Sequence, residues 1–200
     1  MVTRRQSNRA RIIEGAAYIL ESGSLDSFTV DSLSRYLKMS RSTLYRYFPS
    51  KEHVVDSLVV ELCEDVELEL SRLGYDPDAS ADAEMARFVD VIARYADALP
   101  RALAIRNGTL PASTQARLMV TRVSFKTACA RILRVARAAG LAPVRDADLI
   151  AGGIVSAFDS VIQSTARRED ITSRSEPIRE IAQVMLFGVF SSSDTSRIAL

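Results

Sequence analysis

Apolar residues recur along most of the chain at spacings of three and four, the pattern that buries one face of an α-helix. No stretch alternates between apolar and polar residues for long enough to predict a β-strand. The sequence therefore predicts an all-α protein of about nine helices. The predicted helices cover residues 8–22, 29–37, 40–48, 50–73, 78–100, 101–107, 111–139, 146–168 and 176–190.

The second and third predicted helices are short and are joined by only Lys38-Met39-Ser40. A connection of this length makes the two helices cross steeply, as in a helix-turn-helix motif. Ser40 is placed to cap the third helix by accepting a hydrogen bond from a free backbone N–H group, and Pro49 is expected to end that helix. The inward positions of the two helices are Val30, Leu33, Leu37, Leu44 and Phe48.

The outward face of this motif carries hydrogen-bond donors, aromatic rings and one sign of charge. Every charged residue between Asp31 and Glu52 is basic. Because Thr29 caps the second helix, its hydroxyl and backbone N–H are suited to a DNA phosphate. The alternative is a solvated basic face, with Tyr45 or Tyr47 half-buried against the first helix. The candidate DNA-binding residues are Thr29, Arg41, Ser42, Thr43, Tyr45, Arg46, Tyr47 and Lys51.

The net charge of +1 is distributed unevenly along the chain. Residues 1–60 contain nine Lys and Arg against six Asp and Glu, whereas residues 61–200 contain seventeen against nineteen. The N-terminal part is therefore the one suited to a polyanion. Its first basic residues either reach DNA as an arm or form a solvated tail; these are Arg4, Arg5, Arg9 and Arg11.

The remaining composition argues against other classes of protein. Cys63 and Cys129 are far apart and have no CxxC partner, which predicts buried free thiols rather than a zinc site or a disulfide framework. The chain has no signal-peptide pattern and no window near the ~20 apolar residues of a membrane span, so a soluble, cytoplasmic protein is expected. His53 is the one histidine, and no catalytic or metal-binding motif accompanies it. We therefore predict no enzymatic activity, no cofactor and no metal; a helical-bundle enzyme is the rival interpretation.

Residues 9–55 resemble the DNA-binding domain of TetR-family transcriptional regulators, and the run TLYRYFPSK is the most specific part of the resemblance. Two positions depart from the family pattern: Lys38 stands where glycine is usual, and Ser34 where alanine is usual. A non-glycine residue at positive φ costs about 1 kcal/mol, so strain is expected at Lys38. The matching positions are Ile13, Ala16, Gly23, Thr29-Val30, Leu33, Met39-Ser40, Thr43-Leu44-Tyr45 and Phe48-Pro49-Ser50-Lys51.

The resemblance implies a DNA-binding domain over residues 1–52 and a helical ligand-binding and dimerisation domain over residues 53–200. It further implies a homodimer that binds a palindromic DNA operator, most often as a repressor, and a small-molecule effector that releases it. In this arrangement Arg41, Ser42 and Thr43 meet base edges, and Arg41 is suited to guanine. The residues better placed for backbone contacts are Tyr45, Arg46, Tyr47 and Lys51. The alternative is a DNA-binding regulator that is controlled by a protein partner and has no small-molecule pocket.

Candidates for the two other sites come from the later helices. Aromatic, apolar and charged residues of the middle helices either line a ligand pocket or form core and surface; these are Phe88, Ile92, Tyr95, Arg122, Phe125 and Asp159. The final helix is apolar on more than one face, which indicates a partner beyond its own fold, although burial within one chain is the alternative. The candidate dimer residues are Phe158, Ile162, Ile178, Ile181, Met185 and Val189.

Overall fold

The computed structural model describes residues 4–22, 28–76, 78–105, 110–166 and 176–182, which form eight α-helices and, within these ranges, no β-strand. The all-α prediction is thus confirmed. The helices are α1 (Arg4–Ser22), α2 (Val30–Leu37), α3 (Arg41–Tyr47), α4 (Lys51–Arg72), α5 (Ala81–Ile105), α6 (Ala112–Ala138), α7 (Ala147–Ala166) and α8 (176–182).

The predicted break at Pro100 is wrong, because α5 continues through this residue to Ile105. This is why the described residues form eight helices where about nine were expected. A proline inside a helix removes one backbone hydrogen bond and crowds the preceding turn. Here the preceding turns are fixed by burial of Tyr95, Ala96 and Leu99, and packing of this kind outweighs local propensity.

The chain divides into two compact units, each built from two segments. Unit 1 comprises Met1–Cys63 and Ala98–Arg117, and unit 2 comprises Glu64–Asp97 and Leu118–Leu200. The helices α4, α5 and α6 each contribute residues to both units. The predicted boundary between domains at residues 52 and 53 stays a prediction.

Close packing of α1 against α2 organises unit 1. Ile12, Ile13 and Ala16 of α1 are buried, as are Leu33 and Leu37 of α2. The two helices lie close together at Gly15, where an added Cβ would lie 2.9 Å from Cδ2 of Leu37. The absence of a side chain at position 15 leaves room for the Leu37 side chain in its present conformation.

Two polar side chains hold the end of α4 in unit 2. The guanidinium of Arg131 donates from Nη2 to the carbonyl of Leu70 at 2.7 Å and from Nε to that of Leu73. These carbonyls lie at the C-terminal end of α4, where backbone partners run out; that of Leu70 also accepts from the backbone N–H of Leu73 at 3.3 Å. The carboxylate of Glu84 accepts from the backbone N–H of Gly74 at 2.8 Å, and Glu84 itself is 2% exposed. A clamp defined by Arg131 and Glu84 thus fixes the C-terminal end of α4.

Some apolar positions that the helical spacing places inward face solvent. The helical pattern places Val123 and Val135 of α6 inward, but both are exposed. Leu149 and Ile150 of α7 are exposed as well. The other inward positions of α6 that the pattern predicts include Phe125, Ile132 and Leu133, and these three are buried. None of the described helices combines the length and the apolar character needed to cross a membrane.

Candidate nucleic-acid interface

The N-terminus of α2 is closed by a capping box. The Thr29 hydroxyl accepts a hydrogen bond from the backbone N–H of Ser32 at 3.0 Å, and the Thr29 N–H donates to the Ser32 hydroxyl at 3.0 Å. The hydroxyl and the N–H that the sequence predicts for a phosphate are therefore already used within the helix end. Thr29 is exposed, so a phosphate oxygen reaching it would share these donors.

The turn between α2 and α3 depends on a lysine in the left-handed conformation. Lys38 has φ 54° and ψ 41°, which confirms the positive φ expected there. The N–H of Met39 reaches back to the carbonyl of Ser34 at 3.1 Å, a helix-ending bond of the Schellman type. The hydroxyl of Ser34 donates to the carbonyl of Met39. The two departures from the family pattern thus meet in one turn, and the Ser34 hydroxyl supplies a bond that alanine lacks.

A serine also caps α3. The Ser40 hydroxyl accepts from the backbone N–H of Thr43 at 3.1 Å, as predicted. It also lies 2.9 Å from the hydroxyl of Ser42 and 2.8 Å from that of Thr43. Three hydroxyl groups are thereby gathered at the first turn of α3, where each can turn its proton to suit a neighbouring acceptor.

The helix α3 has four rows of side chains, because residues four apart share a face. Leu44 and Phe48 form the buried row. Ser42 and Arg46 form the row on the opposite side, and both are exposed. Arg41 and Tyr45 form one flanking row and Thr43 and Tyr47 the other. Six of the eight predicted DNA-binding residues are thus displayed around one short helix.

In the first flanking row, Arg41 is engaged by an acidic neighbour. Its Nη2 atom forms an ion pair with the carboxylate of Asp31 in the first turn of α2. The Arg41 side chain remains 65% exposed, so the other N–H groups of its guanidinium face outward. Tyr45, in the same row, is 49% exposed. The sequence did not predict the Asp31 contact, because it joins two helices.

The second flanking row is held against α1. The Tyr47 hydroxyl accepts a hydrogen bond from the side-chain amide of Asn8 at 3.0 Å, and the ring is half-buried. The guanidinium of Arg46 lies 5.7 Å from the centre of the Tyr47 ring. Of the two tyrosines weighed as half-buried against the first helix, Tyr47 is therefore the one that takes this position.

An open groove of about 820 Å³ lies beside this second row. Residues of α1, the turn and α3 line it, among them Arg11, Lys38 and Arg46, and no lining residue is acidic. The N-terminal arginines accordingly differ in placement. Arg9 does not line the groove: its Nη2 atom donates to the Ser57 hydroxyl at 2.7 Å, and its guanidinium lies over the ring of Phe48. The side chains of residues 4–6 lie outside the described part of the structure.

The remaining predicted DNA-binding residue lies at the start of α4. Lys51 is the first residue of this helix and is partly exposed. Nearby, the hydroxyl of Ser50 and Nδ1 of His53 are 3.0 Å apart, and His53 is exposed. Lys51, Thr29 and Tyr45 line the same small cleft. Lys51 and Thr29 thus lie on the Arg41–Tyr45 side of α3.

In unit 2, the predicted ligand-binding residues fall into two groups. Phe88, Ile92, Tyr95 and Phe125 are buried, and the rings of Phe88 and Tyr95 lie 6.0 and 5.4 Å from that of Phe125. Arg122 and Asp159 are partly exposed and pair with each other, with Nε 2.8 Å from Oδ2. Burial raises the pKa of the Asp159 carboxyl and the Arg122 charge lowers it, with burial the larger effect.

The predicted dimer residues fall into three groups: buried residues, partly exposed residues and residues outside the described part of the structure. Phe158 and Ile178 are buried by their own chain, and Phe158 packs near Phe88 with ring centres 6.5 Å apart. Ile162 and Ile181 are partly exposed. Met185 and Val189 lie outside the described residues. Which of these residues meet a second copy stays a prediction.

The sequence of the helix-turn-helix part matches a known family. Residues 12–58 match the description of bacterial regulatory proteins of the tetR family. This segment contains α2, α3 and most of α1, and it is the part of the chain whose sequence is similar to the tetR family. No curated protein matches the chain closely enough to count as a relative.

Solved structures extend the comparison over nearly the whole chain. The TetR-family regulator PfmR from Thermus thermophilus is 20% identical, with 88% of this chain and 97% of that one covered and a TM-score of 0.60. The complex of SmeT with triclosan is 15% identical, covering 98% and 99%, with a TM-score of 0.65. A transcriptional regulator from Saccharomonospora viridis in complex with choline is 18% identical, covering 90% and 95%, with a TM-score of 0.64. At these identities the likeness establishes the TetR fold.

Proposed function

We propose that this chain is a TetR-family regulator, a homodimeric repressor that binds a palindromic operator and is released by a small-molecule ligand. The observation that carries the proposal is the display of α3. Its buried row anchors the helix through Leu44 and Phe48, and the three other rows present donors and rings outward. A helix shown in this way fits the major groove of B-DNA, which admits one α-helix.

Each row has a distinct role on DNA. Ser42 and Arg46 extend directly away from the core and approach base edges, and the guanidinium of Arg46 matches O6 and N7 of guanine. Arg41 offers a second guanine contact through the N–H groups that Asp31 leaves unused. Thr43 reaches bases or phosphate from the first turn. We assign backbone contacts to Thr29, Tyr45 and Lys51, with Tyr47 positioned by Asn8, and we place Arg46 at base edges rather than at the backbone contact that the sequence favours.

Dimerisation follows from the small size of this reading surface. One seven-residue helix offers few base contacts, and two-fold repetition multiplies both affinity and specificity. We assign the interface to α7 and the chain from residue 176 onward, with Ile162, Ile181, Met185 and Val189 as its apolar contacts. Phe158 and Ile178 are buried within their own chain, so we assign them to the packing behind the interface and not to the contact itself.

Ligand control is supported by two relatives of the same fold that bind small molecules, triclosan and choline. In this chain the ligand would lie among Phe88, Ile92, Tyr95 and Phe125, next to the Arg122–Asp159 pair. The helix α4 is continuous from Lys51 to Arg72 and connects this region to the recognition helix. A ligand that favours one position of α4 shifts the dimer away from the spacing that both half-sites require.

A specific observation favours the alternative, control by a protein partner. The rings of Phe88, Tyr95, Phe125 and Phe158 contact one another, so a ligand at this place has to separate rings that already pack. A panel of small molecules, with triclosan and choline as the first members, distinguishes the two mechanisms. A compound that raises the melting temperature and releases DNA supports ligand control; release only by added cell protein supports the alternative.

The DNA-binding proposal is tested by selection from duplexes with a randomised centre. We expect the parent chain to enrich an inverted repeat, and we expect Arg46→Ala to lose that preference. Lys126→Ala, which removes an exposed charge from α6, is the matched control and should select the same repeat. Failure of the parent chain to enrich any sequence contradicts the proposal.

The dimer is tested by Met185→Arg and Ile181→Arg, measured as particle mass in solution. A charge in an apolar interface is costly without a partner, so we expect both variants to shift towards the monomer. Leu68→Arg, at an exposed position of α4 outside the assigned interface, is the control. An unchanged mass for both variants places the interface elsewhere.

A further inference from the structure

We infer that Lys38, together with Arg11, forms a second phosphate-binding site on the Thr43 side of α3, on the DNA strand opposite the one met by Thr29 and Lys51. The inference rests on the proposed DNA binding and adds residues to it. Neither Lys38 nor Arg11 belongs to the recognition helix. Both line the open groove between α1, the turn and α3.

The geometry of the major groove calls for contacts on both sides of an inserted helix. The groove is about 12 Å wide, and an α-helix with its side chains is about 10–12 Å across, so a phosphate strand runs along each flank. Thr29, Tyr45 and Lys51 lie together on one flank of α3. Thr43 and Tyr47 are the only α3 residues of the other flanking row, and Tyr47 is engaged by Asn8. Arg46 is the one cation of α3 that lines this flank, so any further cations that neutralise the second strand come from outside α3.

The second flank supplies those cations. Arg11, Lys38 and Arg46 line the groove, and none of its lining residues is acidic. Lys38 is exposed, and no described residue forms an ion pair with Lys38 or Arg11. The hydroxyl groups of Ser40 and Thr43 face the same groove and can donate to the same phosphate.

The backbone at Lys38 gives an independent reason to assign it a role. Its φ of 54° is one that glycine adopts without strain, whereas a lysine does not. Strained residues that persist in a fold often serve a function. Here the strained position points a lysine from the turn into a groove that carries only positive charge, and the phosphate contact explains why the chain keeps a lysine there.

The test is the salt dependence of binding to the duplex that the parent chain enriches. Each lost phosphate contact lowers the slope of log K against log salt by about 0.9, and a dimer loses two contacts per substitution. We therefore expect Lys38→Gly to reduce the slope by about 1.8 and the affinity about thirty-fold at about 0.15 M salt. Arg11→Gln should behave in the same way.

Two further variants separate charge from structure. Lys38→Arg keeps the charge and the left-handed residue, and we expect its slope to match that of the parent chain. Lys126→Gln removes an exposed charge from α6, outside the groove, and should leave the slope unchanged. Circular dichroism on Lys38→Gly checks that the helices are intact.

The outcomes distinguish the second phosphate site from the proposed DNA binding on which it rests. A parent chain that binds no DNA overturns both. A parent chain that binds its selected duplex, with an unchanged slope in Lys38→Gly and Arg11→Gln, overturns the second phosphate site alone. An equal loss in Lys38→Gly and Lys38→Arg also overturns it, because the loss then does not follow the charge.

Discussion

Replacing Lys38 by glycine should relieve backbone strain, although it removes a charged residue. Lys38 adopts the left-handed conformation with φ 54° and ψ 41°. A side chain in that conformation costs roughly 1–2 kcal/mol, because Cβ approaches the following carbonyl oxygen. Glycine avoids this cost but loses more conformational entropy on folding, by roughly 0.5–1 kcal/mol. The backbone terms therefore favour glycine at this position by about 0.8 kcal/mol in the free energy of unfolding.

Lys38→Ala is the matched control for the loss of charge. Lysine at the end of α2 interacts favourably with the carbonyl groups of the last turn, by about 0.3–1 kcal/mol, and both variants lose this interaction. Alanine keeps the Cβ and hence the strain. The difference between the glycine and alanine variants therefore isolates the backbone term.

The assay is equilibrium unfolding in urea, followed by far-ultraviolet circular dichroism at fixed protein concentration, because dimerisation adds to the measured stability. We expect the alanine variant to have the lowest midpoint and the glycine variant to lie close to the parent chain, because relief of strain and loss of the charge nearly cancel in glycine. Equal stability of the glycine and alanine variants would refute the assignment of strain to Lys38.

Three further predictions follow from single contacts. Gly15→Ala should change the free energy of unfolding by less than about 1 kcal/mol in the same urea assay, because a helix-propensity gain of about 0.5–1 kcal/mol offsets the shift of the Leu37 Cδ2 group that its Cβ meets at 2.9 Å; a loss above about 2 kcal/mol would show that the Leu37 side chain cannot move aside. Asp31→Asn should strengthen binding to a random-sequence duplex, because it frees Arg41 and removes a negative charge; weaker binding contradicts this role. Burial raises the pKa of Cys129 to about 12, so its thiol should resist alkylation at pH 8 until urea unfolds the chain, as peptide mapping would detect.

Local signals predicted the helix-turn-helix well, because its determinants lie close together in the sequence. The Ser40 cap and the positive φ of Lys38 depend on residues within one or two turns of each other. The role of Ser34 could be predicted only in part: its small size is evident from the sequence, but its hydrogen bond is not. Alanine and serine are alike in size, and only the structure reveals the bond from Ser34 to Met39 that ties the turn.

Contacts between distant segments were beyond the sequence pattern. The pairing of Arg41 with Asp31 depends on the crossing of two helices, and the clamp of Arg131 on α4 joins residues 58 and 61 positions apart. The continuation of α5 through Pro100 has the same origin, since burial of its neighbours outweighs the local preference of proline. Such features require the tertiary placement of each helix before their chemistry can be recognised.

The clamp at the end of α4 gives Arg131 a part in deciding where this helix ends. The last carbonyl groups of a helix lack the partners that the next turn would supply, and the Arg131 guanidinium donates to those of Leu70 and Leu73. Arg131 lies 58 and 61 positions further along the chain. The C-terminal end of α4 is therefore completed only when α6 packs beside it, so this helix end and α6 should form in the same cooperative step.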